Sequence, residues 1–248
     1  MATFSRSLRL LRAFSYEQFR PRIFYSLLAR DTRSLLDALS HDLLGTPVTG
    51  QSVLDVGGGP GYFADAFSDC FYVGLEPDIS EMSAAGISGF GSVRGDGTAL
   101  PFTDDSFDVV YSSNVAEHIP NWQAMGDEML RVAKPGGLVV LSYTVWLGPF
   151  GGHETGLWQH YVGGDYARRR YAKVHGRDPK NVFGENLFAV SAREGLAWAR
   201  HLEATGRAEL IAAFPRYHPR WAWWVTRVPI LREFAVSNLV LVLRSPSA

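Results

Sequence analysis

Val53-Leu54-Asp55-Val56-Gly57-Gly58-Gly59-Pro60-Gly61-Tyr62-Phe63 is the stretch whose reading decides the fold. Apolar residues around one acid make a short strand, Ser52 to Val56, which runs straight into glycines. A helical stretch from Tyr62 to Phe67 and a second apolar strand from Phe71 to Glu76 follow. Strand, glycine turn, helix, strand is the opening of a βαβ unit. Glycines at 57, 59 and 61 let the backbone turn tightly and come close to a ligand, beside the unpaired amides of the helix that follows.

Moving outward, the alternation persists. Ser92 to Arg94 and Phe107 to Ser112 read as strands; a helix from Trp122 to Ala133 is stopped by Lys134-Pro135-Gly136-Gly137; Leu138 to Val145 is the next strand. After a helix from Ser191 to Thr205, Ala208 to Phe214 and Leu239 to Arg244 close the series. The pattern predicts an α/β fold of Rossmann-like type: a mostly parallel seven-stranded sheet with helices on both faces. Upstream, apolar residues recur at helical spacing from Ser7 to Leu43 and stop at Gly45 and Pro47, which predicts two or three helices. The expected organisation is an N-terminal helical extension over 1–45 and a main domain over 46–248, with insertions at about 147–190 and 216–236.

Composition agrees with a folded chain. Of 248 residues 46% are hydrophobic, 24 are Lys or Arg, 25 are Asp or Glu and one is Cys, which excludes a disordered, collagenous or disulfide-built protein. Cys70 reads as a small core residue, and the lack of cysteine pairs points to a reducing, cytoplasmic setting. The most apolar stretch, 137–150, is interrupted by Ser142, Thr144, Gly148 and Pro149 and is too short to span a bilayer. The first residues are rich in Arg and Ser and poor in acids, a composition shared by transit peptides and by amphipathic helices. Net charge is distributed unevenly, at +5 over 1–33, −12 over 34–150 and +6 over 151–248. Basic flanks of this kind suit an anionic acceptor or peripheral contact with a membrane surface, and solvated arginines on helix faces explain them equally. The run Arg168-Arg169-Arg170 has no RNA-binding module beside it, so nucleic acid is not expected as a partner.

Gly59-x-Gly61-x-x-Ala64 meets the loose dinucleotide fingerprint, and Glu76, 21 residues after Asp55, would suit a ribose in either a dinucleotide or another nucleoside. Asp55 separates the two. A carboxylate on the strand before the turn repels a pyrophosphate and attracts an ammonium or sulfonium. With the glycine motif DxGxGxG at 55–61, the acid Glu76, GDxxxLPFxDxSFD at 95–108 and RVxKPGG at 131–137, the chain resembles the class I S-adenosylmethionine-dependent methyltransferases of the small-molecule type 11 kind over about 52–145. Beyond it, 145–154 (VWLGPFGGHE) and 214–224 (FPRYHPRWAWW) are similar to a group of actinobacterial, including mycobacterial, methyltransferases.

The resemblance implies S-adenosylmethionine as cofactor and a role for each matching position. Asp55, Gly57, Gly58, Gly59 and Gly61 are expected at its methionine end, Glu76 at the ribose hydroxyls, Pro77 or Asp78 beside the adenine, Asp96 and Gly97 at the adenine edge, and Asn114 facing the sulfonium. Tyr16, Arg20 and Tyr25 on the N-terminal helices either close over the cofactor or pack beneath the sheet.

Acceptor chemistry is expected after the fourth strand, where Asn114-Val115-Ala116-Glu117-His118 occupies the carboxyl edge at which open α/β sheets bind ligands. His118 suits a general base near neutral pH, with Glu117 and His153 as its companions. The segment is also similar to the ExxEH motif of ubiquinone-pathway and small-RNA O-methyltransferases, in which Glu, Glu and His hold a divalent ion with a later His. Asn114 stands at the first position here, so Mg²⁺ is the less favoured alternative and His153 or His160 would be its later ligand. Trp221, Trp223 and Trp224 read as an aromatic acceptor wall, an interfacial anchor with Arg216, Arg220 and Arg227, or core. The expectation is O-methylation of a small-molecule, sugar or lipid-linked hydroxyl; a non-catalytic cofactor-binding sensor and a nicotinamide-dependent oxidoreductase are the alternatives from other classes.

Overall fold

The computed structural model describes residues 3–14, 20–83 and 91–247. Seven strands form one sheet: β1 (Ser52–Val56), β2 (Phe71–Glu76), β3 (Ser92–Arg94), β4 (Phe107–Ser113), β5 (Ala133–Thr144), β6 (Glu209–Pro215) and β7 (Asn238–Arg244). Their order is β3-β2-β1-β4-β5-β7-β6. The first five run parallel, and β7 is antiparallel to both its neighbours. The chain leaves β1 for β2 on one side and later returns to β4 on the other. The carboxyl ends of β1 and β4 therefore flank the crevice where strand order reverses.

Each face of the sheet is covered because each strand directs apolar side chains both ways. On one face Leu54, Val56, Val139 and Leu241 pack against α4 (Trp122–Val132) and α7 (Ala192–Ala204) through Met125, Met129, Leu196 and Ala199. Gly195 lets α7 lie close, since a Cβ there would overlap the Tyr143 hydroxyl. On the other face Val53, Val109, Val140 and Val242 meet Phe24, Leu28 and Leu36 of α2 (Pro21–Leu44), which follows α1 (Phe4–Phe14). The N-terminal helices thus share a core with the sheet. Tyr25 stacks on Tyr62 with centroids 5.1 Å apart, Arg20 is exposed, and Tyr16 lies outside the described residues.

Three details differ from expectation. The helical stretch after the glycine turn is only a 3₁₀ turn, Ala64–Phe67. Strand β5 begins at Ala133 and takes in Lys134-Pro135-Gly136-Gly137, with an irregular register against Phe107 to Val109 absorbing the proline and glycines. Cys70 is partly rather than fully buried, and its thiol donates to the Val48 carbonyl at 3.2 Å. The remaining chain adds two excursions. One holds a 3₁₀ turn (His153–Thr155), α5 (Gln159–Val162) and α6 (Gly164–His175); the other a 3₁₀ helix (Arg220–Arg227) and α8 (Leu231–Ala235). Among the described residues no helix is long and apolar enough to cross a membrane.

Candidate active site

The glycine turn leaves β1 with Gly57 at φ 84°, Gly59 at 54° and Gly61 at 80°, all left-handed. Gly58, Gly59 and Gly61 line a cleft whose opposite wall is Tyr72, Gly74 and Glu76 of β2. The cleft is open at Gly59, where a Cβ would meet nothing within 4 Å, and it is the left-handed φ that calls for glycine there. Its amide donates to Glu76 Oε2 at 3.2 Å. The amides of Gly57 and Gly58 point elsewhere, to the Leu75 carbonyl at 2.8 and 3.0 Å, so they brace the turn and do not offer donors to a ligand.

Asp55, expected at the methionine end of the cofactor, lies on β1 just before the turn. It is only 3% exposed, behind the turn, and its Oδ2 accepts from the hydroxyls of Tyr72 and Tyr111, each at 2.7 Å. Burial pushes its carboxyl up to about 6, the two hydroxyls pull it back, and the charge of Glu76 raises it again. Neither tyrosine was anticipated, because which residues stand beside Asp55 depends on strand register.

Farther along, Asp96 and Gly97 follow Arg94, the partner of Glu76 in the β2–β3 ladder. Asp96 Oδ1 accepts from the amide and hydroxyl of Thr98, both at 2.8 Å, forming a local turn. Gly97 is buried, with a Cβ there reaching Val56 and Met125 within 3.3 Å. Pro77 is exposed and its carbonyl accepts from Arg94 at 3.2 Å. Asn114 ends β4 at φ 59°; its Oδ1 accepts from Asn238 Nδ2 at 2.7 Å.

Past Asn114 a 3₁₀ turn, Ala116–His118, carries the acceptor-side residues. Glu117 is 1% exposed; Oε1 accepts from the Thr144 amide at 3.1 Å, while Oε2 is buried with no hydrogen-bond partner. His118 Nδ1 lies 2.7 Å from the Asn186 carbonyl. A carbonyl can only accept, so Nδ1 carries the proton and Nε2 keeps a lone pair. His153 approaches from the loop after β5, with ring centroids 5.2 Å from His118 and Nε2 buried without a partner. One ligand atom from each of Glu117, His118 and His153 lies within 4.8 Å of the others. Burial holds His153 below the usual imidazole range; Glu117 raises it and His118 lowers it. His160 stays out of this cluster, with Nε2 donating to the Gly148 carbonyl at 3.1 Å. Asn186, 68 residues from His118 in sequence, had no local signal.

Arg216 is not at an interface. It is 2% exposed and donates to Ser113, Ser142 and Thr32 hydroxyls at 2.7, 3.2 and 2.6 Å. Trp223 stacks on Phe214 at 4.3 Å and is structural, whereas Trp221 and Trp224 face outward. In the arginine run, Arg168 pairs with Asp178 and Glu185, and Arg170 lies over the Trp158 ring.

Residues 54–141 match the family model described as a methyltransferase domain. An uncharacterized methyltransferase of Mycobacterium marinum is 62% identical over 98% of this chain and 95% of its own length, and one from Mycobacterium tuberculosis is 59% identical over the same shares. The chain belongs to the class I S-adenosylmethionine-dependent methyltransferases. In fold the methyltransferase is similar to an S-adenosylmethionine-dependent methyltransferase from Mesorhizobium loti, with a TM-score of 0.51 and 20% identity over 79% of this chain and 92% of that one.

The cleft fits the cofactor that this family uses. The glycine cradle is open at Gly59, a carboxylate of Glu76 stands on its wall, and an acid is buried behind it. A cationic ligand would draw charge onto Asp55, and a ribose diol would take Glu76 from the Gly59 amide.

Proposed function

We propose that this methyltransferase transfers a methyl group to a hydroxyl of a small-molecule, sugar or lipid-linked acceptor, with His118 as the general base. The observation that carries the reading is the hydrogen bond from His118 Nδ1 to the Asn186 carbonyl, which leaves Nε2 free to accept a proton. When bound, S-adenosylmethionine supplies an electrophilic methyl on a sulfonium. Gly59, Gly61 and Glu76 would hold the cofactor, with Asp96 at its adenine end. Asn114, fixed by Asn238, would face the sulfonium, and the 3₁₀ turn after it would orient the acceptor. His118 Nε2 would take the proton of the acceptor hydroxyl and so leave its oxygen nucleophilic toward the methyl group that the cofactor would supply. The nearby Glu117 carboxylate stabilises the resulting imidazolium.

The test separates binding from turnover. Glu76→Ala is expected to weaken S-adenosylmethionine at least about tenfold in calorimetry, by loss of charge-assisted hydrogen bonds. His118→Ala is expected to lower kcat about 10²-fold or more with cofactor affinity at the parent value. Full turnover in the His118 variant removes the base; unchanged cofactor affinity in the Glu76 variant removes the site.

A second reading has its own support. Glu117 Oε2 and His153 Nε2 are buried without partners, and a divalent ion shared with His118 Nε2 would satisfy both. Two imidazoles and one carboxylate suit a transition ion better than Mg²⁺. Calorimetric titration with Mn²⁺ and Zn²⁺, against chelator-treated protein and Glu117→Gln, tests it. Binding that the variant loses supports the ion, and absence of binding leaves His118 as a metal-free base.

A further inference from the structure

The second excursion carries an outward-facing stripe that methyl transfer does not use. Residues 220–227 form a 3₁₀ helix, which has three residues per turn, so Trp221, Trp224 and Arg227 stack in line. Ala222 and Val225 turn inward, while Trp221 is 73% and Trp224 54% exposed. Directly after it the chain turns through Pro229 and Ile230. Ile230 sits at φ 66°, a conformation a β-branched residue seldom adopts, and is 75% exposed. A turn under that constraint holds its largest apolar side chain in water.

The exposed apolar face continues onto the other excursion. Phe234 meets Tyr161 with centroids 6.1 Å apart, and both are exposed, as is Leu157 earlier on the same excursion. Tyr161 in turn contacts His160 at 4.1 Å, and His160 lies against Gly152, the residue before His153. Through the buried His160 this face is linked to the loop that carries His153.

Charge decides what covers it. Neither 155–164 nor 210–232 contains an acid, Glu233 beside Phe234 is occupied by the Ala192 and Arg193 amides, and Arg220 and Arg227 are exposed. A two-fold contact with a second copy would set this arginine-bearing patch against itself, like charge on like. An anionic bilayer pairs the arginines with headgroups while the tryptophans and Ile230 enter the interfacial layer. We propose that Trp221, Trp224, Arg227 and Ile230 form a docking face for an anionic membrane surface, linked through His160 to the loop that carries His153. Docking stands independently of the acceptor chemistry; only the inference that the acceptor is drawn from the bilayer rests on the function proposed above.

The test is co-sedimentation of the full chain with vesicles of phosphatidylcholine alone and of phosphatidylcholine with phosphatidylglycerol, at low and high salt. Binding is expected on the anionic vesicles, weakened by salt and slight on the neutral ones. The double variant Trp221→Ser, Trp224→Ser is expected to lower partitioning about tenfold or more, and Arg227→Gln about fivefold on anionic vesicles alone. Ile230→Ser gives an independent reading of the same face. Because these side chains project outward, S-adenosylmethionine affinity should stay at the parent value in every variant. No binding by the parent chain, or parent-level binding by the variants, overturns the proposal. So does self-association in sedimentation that the same variants abolish while vesicles are ignored. Vesicle binding without methylation of any lipid hydroxyl keeps the docking face and counts against the acceptor reading alone.

Discussion

Asp55 occupies a position where a charge is costly. Its carboxyl is fully enclosed, and burial outweighs the two tyrosine hydroxyls, so it titrates at about 6 against an ordinary 3.8. Between those values the folded chain binds more protons than the unfolded one. Stability is therefore greatest below the lower value, falls as pH rises through the window and levels off above 6. At ~1.4 kcal/mol per pKa unit, the whole fall is about 3 kcal/mol. Asp55→Asn removes the titration. Its stability relative to the parent should improve by about 3 kcal/mol between about pH 3.5 and pH 7 in urea denaturation, and a difference that does not change with pH would contradict the buried charge. The sequence shows why an acid stands at this position, through the glycine motif around it. It does not show Tyr72 and Tyr111, 17 and 56 residues away, which become neighbours only when β2 and β4 take their register on β1. The same limit hid Asn186 behind His118.

At the level of elements, legibility follows how local the cause is. The start of α7 is written in Ser191-Ala192-Arg193-Glu194: the Ser191 hydroxyl accepts from the Glu194 amide at 3.0 Å, and Glu194 Oε2 accepts from the Ser191 amide at 2.8 Å. Ser191→Ala is expected to cost about 1 kcal/mol, read as a lower denaturation midpoint with turnover unchanged. The loop after β5 is a different case. In the sequence Gly151 and Gly152 suggest close passage of the chain to a ligand, whereas the fold uses both for close approach within the chain itself. A Cβ at 151 would overlap the Trp146 carbonyl, and one at 152 would come within 2.7 Å of His160 Nδ1. Backbone cannot yield as a side chain can, so Gly151→Ala should displace the turn bearing His153. We expect a loss of about 1–3 kcal/mol in stability, by overpacking, together with reduced kcat. Parent-level values of both would mean that this loop is not held as the geometry requires.

Across the whole molecule, the seven-stranded sheet was readable because alternating strands and helices leave few ways to cover both faces. What ties the ends of the chain together was not. Arg6 donates to both Asp31 carboxylate oxygens at 2.6 Å and to the Arg216 carbonyl at 2.8 Å, and Arg216 lies 3.9 Å from Asp31. These groups join α1, α2 and the end of β6 across separations of 25 and 210 residues, and charge counts along the sequence show only a basic flank at each end. Asp31 is the one carboxylate between the two guanidinium groups, and Arg216 is almost wholly enclosed with its Nε unpaired. Removing the acid leaves a buried cation facing hydroxyls and another cation, which water cannot screen. Asp31→Ala should therefore cost about 3–5 kcal/mol, a larger loss than an exposed ion pair could give. If the network acts as one unit, adding Arg6→Met to Asp31→Ala should cost less than the two single losses combined, because the first change has already broken the bidentate pair. Strict additivity in that double-mutant cycle would show that Arg6 and Asp31 are not energetically coupled, so that their bidentate pair contributes nothing to the closure of the two ends.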